Sequence, residues 1–94
     1  MRLTIIPIDK LIAIDEKGLK NINDDFSWIP PNVHAVQWHD NWGEVEYNNG
    51  DPNTKIFELG IYRRAIDVLN EALKLEEIRL QEEKIKMGLE GVEL

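Results

Sequence analysis

The sequence predicts an α+β fold in which a small antiparallel β-sheet, with about four to five strands in two hairpins, precedes one long C-terminal amphipathic helix. Short apolar runs separated by turn residues open the chain, and apolar and polar residues then alternate with a period of two from Val33 to Tyr47. From Ile56 onward the period changes to about 3.6. We therefore expect a single domain with a β-sheet body at residues 1–58, a helix at residues 59–88 packed on the sheet and extending beyond it, and a tail at residues 89–94.

The first hairpin is predicted from two apolar, β-branched runs at residues 3–8 and 11–14. Pro7 cannot donate a hydrogen bond to a neighbouring strand, so we expect a sheet edge or a bulge there. Residues 16–18 are predicted as the next turn, in which Gly18 is able to take a positive φ, and residues 19–22 as a short third strand.

The register of a second hairpin follows from a two-residue turn at Asp40-Asn41. The pairs expected from this turn are Val36 with Val45, Trp38 with Gly43, His39 with Trp42, Gln37 with Glu44, Ala35 with Glu46 and His34 with Tyr47. Alternation then places one set of side chains toward the core. That set is His34, Val36, Trp38, Gly43, Val45 and Tyr47. The other set is expected to face solvent, and it is Ala35, Gln37, His39, Trp42, Glu44 and Glu46.

Two segments rich in turn residues flank this hairpin. Residues 21–31 are predicted as a loop held by Phe26 and Trp28, and the prolines at positions 30 and 31 lead extended chain into the hairpin. The cluster of Asn, Gly, Asp and Pro at residues 48–53 is predicted to end the sheet.

A helix is predicted from Gly60, an acceptable N-cap, to about Met87, with Gly88 as its stop signal. It carries two apolar stripes about 100° apart. The first is Tyr62, Ile66, Leu69, Leu73 and Leu80, and the second is Ile61, Ala65, Val68, Ala72, Leu75, Ile78, Ile85 and Leu89. A small sheet covers only one stripe, so the second is expected to pack on another chain as a coiled coil, although Glu82 interrupts its heptad-like spacing. The predicted core residues are Val36, Trp38, Val45, Tyr47, Ile66, Leu69 and Leu73.

The composition excludes several classes of function. The net charge of −7 and the pI near 4.7 disfavour nucleic acid as a partner, because affinity for phosphate backbones comes mainly from lysine and arginine. The absence of cysteine removes disulfides and thiol chemistry and fits a reducing cytoplasm. The apolar N-terminal run is too short for a membrane span and lacks a cleavage site, so we expect neither secretion by that route nor a membrane partner.

Several groups of polar side chains could suggest a metal site or a catalytic site, but each has a simpler interpretation. His39, Glu44 and Glu46 share a face that would suit a divalent ion, but a solvated polar face is the favoured interpretation. His34 beside Tyr47 is interpreted as a hydrogen-bonded, half-buried histidine and not as a general base. The acidic pair at residues 24–25 and the segment 48–53 lack the ligand spacing of a calcium loop. We therefore predict no catalytic residue, no cofactor and no metal site.

Trp42 is predicted to be exposed beside the hairpin turn, where it forms with His39 a candidate contact patch for a protein or a sugar. The alternative is that the loop at residues 26–31 or a neighbouring subunit covers it. Together with the free stripe of the helix, this patch gives the predicted protein-interaction residues. They are His39, Trp42, Leu75, Ile78, Ile85 and Leu89.

One sequence pattern is similar to a pattern found in a known group of proteins. His34-Ala35-Val36-Gln37-Trp38, followed shortly by Gly43-Glu44-Val45-Glu46-Tyr47, resembles a group of small proteins encoded in tailed-bacteriophage genomes, often beside tail or tail-fibre genes. The resemblance covers roughly residues 1–60. No activity, cofactor or catalytic residue comes with that group, so none is carried over to positions of this chain.

The resemblance implies a bacteriophage setting, in the virion or in the host cytoplasm during assembly. Within it we expect a structural adaptor or subunit of the tail or fibre that contacts other tail proteins, itself, or both. The alternatives are a tail-fibre assembly chaperone that is not retained in the virion, and a small host-directed inhibitor. No residue pattern supports an enzyme.

Overall fold

An antiparallel sheet followed by one helix makes up the protein, which confirms the predicted α+β class. The computed structural model describes the backbone of residues 1–92 and the side chains of residues 1–84. Its elements are β1 (Arg2–Ile6), β2 (Leu11–Ile14), β3 (Lys17–Leu19), β4 (Val33–His39), β5 (Trp42–Tyr47), β6 (Thr54–Ile56) and α1 (Arg64–Val92), with short 3-10 helices at Pro7–Asp9 and Gly60–Arg63. The six strands have the order β3-β2-β1-β4-β5-β6.

The register predicted for the β4–β5 hairpin is confirmed from the turn back to Ala35. The predicted pair of His34 with Tyr47 is wrong, because Val33 lies opposite Tyr47 and the register shifts between Val33 and Ala35. A bulge adds one residue to a strand and turns the side chain there. His34 is consequently exposed, and Val33 takes its place in the core.

The N-terminal strands differ from the prediction in two details. Pro7 neither marks a sheet edge nor a bulge: it ends β1, a central strand, and starts a short 3-10 helix. The third strand is β3, which begins two residues before the predicted strand at residues 19–22, because the chain already turns at Asp15-Glu16. Asp15 adopts a φ of 53°, and its carboxylate accepts a hydrogen bond of 2.9 Å from the backbone N–H of Arg2.

Gly18 therefore lies inside β3 and not in the predicted turn, and its φ is not positive. It faces Ala13 across the β2–β3 pair. A Cβ atom at position 18 would lie 3.0 Å from the Cβ of Ala13, so close strand packing favours glycine here.

The sheet does not end at the turn cluster after β5. Residues 48–53 instead connect β5 to a further strand, β6, which pairs with β5 at three positions. Within the connection Gly50 has a φ of 87°, and the Tyr47 hydroxyl donates a hydrogen bond of 2.9 Å to Thr54 Oγ1. The sheet consequently has more strands than predicted.

The core lies on one face of the sheet, under α1 and the loop between β3 and β4. Four of the predicted core residues, Val36, Trp38, Val45 and Leu69, are buried, and the other three, Tyr47, Ile66 and Leu73, are partly buried against them. The predicted loop anchors Phe26 and Trp28 stack with ring centroids 5.7 Å apart, and Phe26 is buried. The fold thus positions α1 across the apolar face. On the opposite, uncovered face of the sheet Thr4, Gln37 and Glu44 are partly exposed, whereas Ala35, which was predicted to face solvent, is buried.

Candidate protein-interaction site

The apolar side chains of helix α1 are covered near its start and exposed farther along. Ala65 and Leu69 are almost fully buried, and the apolar residues up to Leu73 pack against the core. Leu75, Ile78 and Leu80 are then 56%, 52% and 51% exposed. From Ala65 to Leu73 the members of both stripes are covered, whereas Ile61, before α1, is 54% exposed and members of both stripes are exposed beyond Leu73. The predicted division into one covered stripe and one free stripe is therefore wrong.

The size of the sheet explains this boundary. The 29 residues of α1 make a helix about 43 Å long. The longest strand, β4, has seven residues and spans about 23 Å, and six adjacent strands span a similar width. The helix also continues past its predicted end at Gly88 to Val92. We refer to residues 64–73 as the packed half of α1 and to residues 75–84 as the projecting half.

Ion pairs along the projecting half hold one arginine in place. Arg79 lies 2.6 Å from a carboxylate oxygen of Glu76 and 2.7 Å from one of Glu83. The hydrogen bond from Arg79 lowers the pKa of the Glu76 carboxyl, and the same bond raises the pKa of the guanidinium. These i,i+3 and i,i+4 pairs stabilise helical backbone where no sheet supports it.

A groove of about 370 Å³ runs between α1 and the loop segment 22–24. Its apolar lining residues are Ile22, Val68, Ala72 and Leu75, and its charged ones are Asp24, Asp67, Glu71 and Arg64. The carboxylate of Asp24 is fixed, since it accepts hydrogen bonds of 2.8 Å from the Phe26 N–H and 2.9 Å from Trp28 Nε1. Leu75 belongs both to this groove and to the projecting half.

The predicted pair of His39 and Trp42 is brought together at the hairpin tip. Their ring centroids are 4.8 Å apart, Trp42 is 36% exposed, and Lys55 Nζ lies 5.8 Å from the Trp42 ring. Nearby, the carboxylate of Asp40 lies 2.7 Å from the Met1 ammonium, and this hydrogen bond lowers the pKa of Asp40. The tip therefore presents a small aromatic patch on the uncovered face of the sheet.

Polar side chains fill the middle of that uncovered face. Strand pairing places Thr4, Gln37, Glu44 and Lys55 in one row, in which the Thr4 hydroxyl donates a hydrogen bond of 2.9 Å to Gln37 Oε1. In the part of the chain that the structure describes, no three His, Cys, Asp or Glu side chains are placed to hold a metal ion. This face thus offers hydrogen-bonding groups to a binding partner.

The predicted interaction residues thus fall into two separate areas. His39 and Trp42 lie at the hairpin tip, whereas Leu75 and Ile78 lie on the projecting half. The side chains of Ile85 and Leu89 lie outside the described residues. The groove beside α1 was not predicted, because its second wall comes from the loop at residues 22–24 and no periodic pattern reports that contact.

Comparison with known proteins assigns no family. The chain matches no protein-family model, and no curated protein and no solved structure is significantly similar to it. Among the described residues, no helix combines the length and the apolar character that a bilayer crossing requires. The functional argument therefore depends on the surfaces described above.

Proposed function

We propose that this protein is a non-enzymatic adaptor or subunit of a bacteriophage tail or tail-fibre assembly, and that it acts through protein–protein contacts. The observation that carries the proposal is the projecting half of α1. It presents Leu75, Ile78 and Leu80, each more than half exposed, within two turns of one helix. The phage setting comes from the sequence pattern of the β4–β5 hairpin.

Binding is favoured when a partner covers the apolar side chains of the projecting half. Burial of apolar surface contributes about 25 cal/mol for each Å² removed from water. Single exposed apolar residues are ordinary on protein surfaces, whereas several on one short segment indicate a contact site. An amphipathic helix that lies in the groove of another protein presents anchors at i and i+3, the spacing that relates Leu75 to Ile78.

Quantitative mass spectrometry of purified particles, from a phage that encodes this chain, tests the proposal. An adaptor or subunit is expected at a fixed copy number relative to the tail proteins. Absence from the particle, together with recovery bound to a fibre protein in infected cells, would indicate an assembly chaperone. Recovery bound only to a host protein would indicate an inhibitor. Either outcome would overturn the adaptor proposal.

A matched pair of variants tests which surface is responsible. Leu75→Gln with Ile78→Gln makes the projecting half polar, and we expect it to abolish incorporation into particles. Lys74→Gln with Glu77→Gln places the same side chain on the polar side of the same turns and should be incorporated normally. Both variants should keep the β-sheet circular dichroism signal, since none of the four positions is buried.

A further inference from the structure

The connection between β5 and β6 contains a reactive pair of residues. Asn49 is followed directly by Gly50, whereas every other asparagine of the chain is followed by a residue with a side chain. A side chain crowds the backbone nitrogen of its own residue, and glycine leaves that nitrogen open. Both residues are exposed, and a Cβ atom added at Gly50 would meet no atom within 4 Å other than those of its chain neighbours. The Gly50 nitrogen is therefore accessible for attack on the side-chain amide of Asn49.

Hydrogen bonds hold that amide in place. Asn49 Oδ1 accepts a hydrogen bond of 3.0 Å from the Asp51 N–H, in an Asx turn that folds the side chain over Gly50. Asn49 Nδ2 donates a hydrogen bond of 3.1 Å to Asp51 Oδ2. Among the described residues, no backbone carbonyl accepts a hydrogen bond from the Gly50 N–H. The turn thus keeps an amide carbon beside a free backbone nitrogen, and such proximity lowers the entropic cost of ring closure.

The two contacts with Asp51 match the changes that the amide undergoes when it is attacked. Its carbonyl oxygen becomes negative in the tetrahedral intermediate, and a fixed N–H donor stabilises that charge. Its nitrogen must gain a proton before it leaves, and a carboxylate within hydrogen-bond reach carries that proton from the attacking nitrogen. Asp51 therefore serves both ends of the Asn49 amide.

We propose that Asn49 is a self-modification site, at which the chain converts this asparagine to aspartate and isoaspartate without an enzyme. The Gly50 nitrogen gives up its proton, and its electron pair forms a bond to Asn49 Cγ while a carbonyl electron pair moves onto Oδ1. That pair then returns and breaks the bond to Nδ2. The Nδ2 group leaves as ammonia with the proton transferred through Asp51, and a cyclic imide remains.

Water opens the imide in one of two ways. Attack at the side-chain carbonyl carbon breaks its bond to the Gly50 nitrogen and restores the ordinary backbone with an aspartate side chain. Attack at the main-chain carbonyl carbon breaks the other bond to that nitrogen, so the chain then runs through the side chain as isoaspartate. Each product adds one negative charge to a net charge of −7. Isoaspartate also adds a methylene to the connection that attaches β6, the strand that carries Lys55 over Trp42.

Ageing of the full-length chain at neutral pH, followed by peptide mass spectrometry, tests the proposal. One sample is folded and the other is unfolded in guanidinium chloride, and the fraction of residue 49 that has lost its amide is measured over time. We expect the folded chain to react at Asn49 at least as fast as the unfolded chain, because the turn already places the reacting groups together. An Asn49 that keeps its amide in the folded chain while it reacts in the unfolded chain would overturn the proposal.

A substitution at Asp51 tests its part in the reaction. Asp51→Asn keeps the backbone N–H and removes the carboxylate, so the folded rate should fall several-fold while the unfolded rate changes little. The introduced amide precedes Pro52, which has no N–H to lose, so it cannot start the same reaction. Glu58→Gln removes an exposed carboxylate beyond the other end of β6 and should leave both rates unchanged. A folded rate that is the same in Asp51→Asn and in the wild type would overturn the role of Asp51.

Asn49→Gln is the control for the site itself. The longer side chain must close a larger ring, so isoelectric focusing of this variant after the same ageing should show no added negative charge. Circular dichroism verifies that the variant is folded. A charge change equal to that of the wild type would assign the modification to another residue and overturn the proposal.

Discussion

The packed and projecting halves of α1 follow the same apolar periodicity in different surroundings. Both halves repeat leucine and isoleucine at helical spacing, yet Leu69 is buried whereas Leu80 is more than half exposed. The difference comes from what lies beneath the helix, since the sheet supports only the packed half. Amphipathic spacing thus identifies the face of a helix that favours cover, and the dimensions of the rest of the fold decide whether the chain supplies that cover itself.

The largest loss of stability is expected from a substitution in the core of the sheet, beneath the packed half. Trp38 is buried and lies beside Leu3 and Gly43. Trp38→Ala is expected to cost about 3–5 kcal/mol, which is enough to unfold a domain of marginal stability. Trp42→Ala, at the exposed hairpin tip, is the control and should leave the fold intact. Equal shifts in melting temperature for the two variants would contradict the burial difference.

One substitution made at two positions of α1 compares the halves directly. Leu69→Ala removes a side chain that packs on the sheet and is expected to destabilise the protein by about 2–5 kcal/mol. Leu80→Ala removes the same atoms from a largely exposed position and should change stability by about 0.5 kcal/mol or less in the monomer. Urea unfolding at low protein concentration measures both, and similar costs would show that the two halves are equally packed.

Within α1, a smaller effect on helix stability is expected from pH, and it falls in the projecting half. Arg79 holds the pKa of Glu76 below its ordinary value in the folded chain. The stabilisation is therefore present at neutral pH and is lost as the pH falls through the range in which Glu76 becomes protonated. Helical Cα chemical shifts of residues 75–84 should decrease on acidification, more in the wild type than in Arg79→Ala. An identical pH response in both proteins would assign the effect to other carboxylates.

Much of the sheet was predictable from sequence because alternation with a period of two fixes both the face and the register of a hairpin. The two-residue turn also placed His39 opposite Trp42, so that patch was predictable as well. The displacement of His34 was not, because a bulge inserts one residue without changing the composition of the strand. Strand β6 was missed because three residues, Thr54–Ile56, are too few to show alternation.

The candidate binding surfaces depend on contacts that no local pattern reports. Lys55 lies over Trp42 only because β6 joins the sheet. The groove exists only because the loop around Asp24, tied to Trp28, rests beside α1. The boundary near Leu73 reflects the size of the sheet, and a helical repeat of about 3.6 residues continues across it without a break.

Amide hydrogen exchange of α1 at several protein concentrations tests the central claim most directly, namely that the sheet holds the packed half and a partner holds the projecting half. Residues 64–73 should be protected to the same degree at every concentration. Residues 75–84 should exchange quickly in dilute solution and become protected only when a partner covers them. Equal and concentration-independent protection of both halves would contradict the claim.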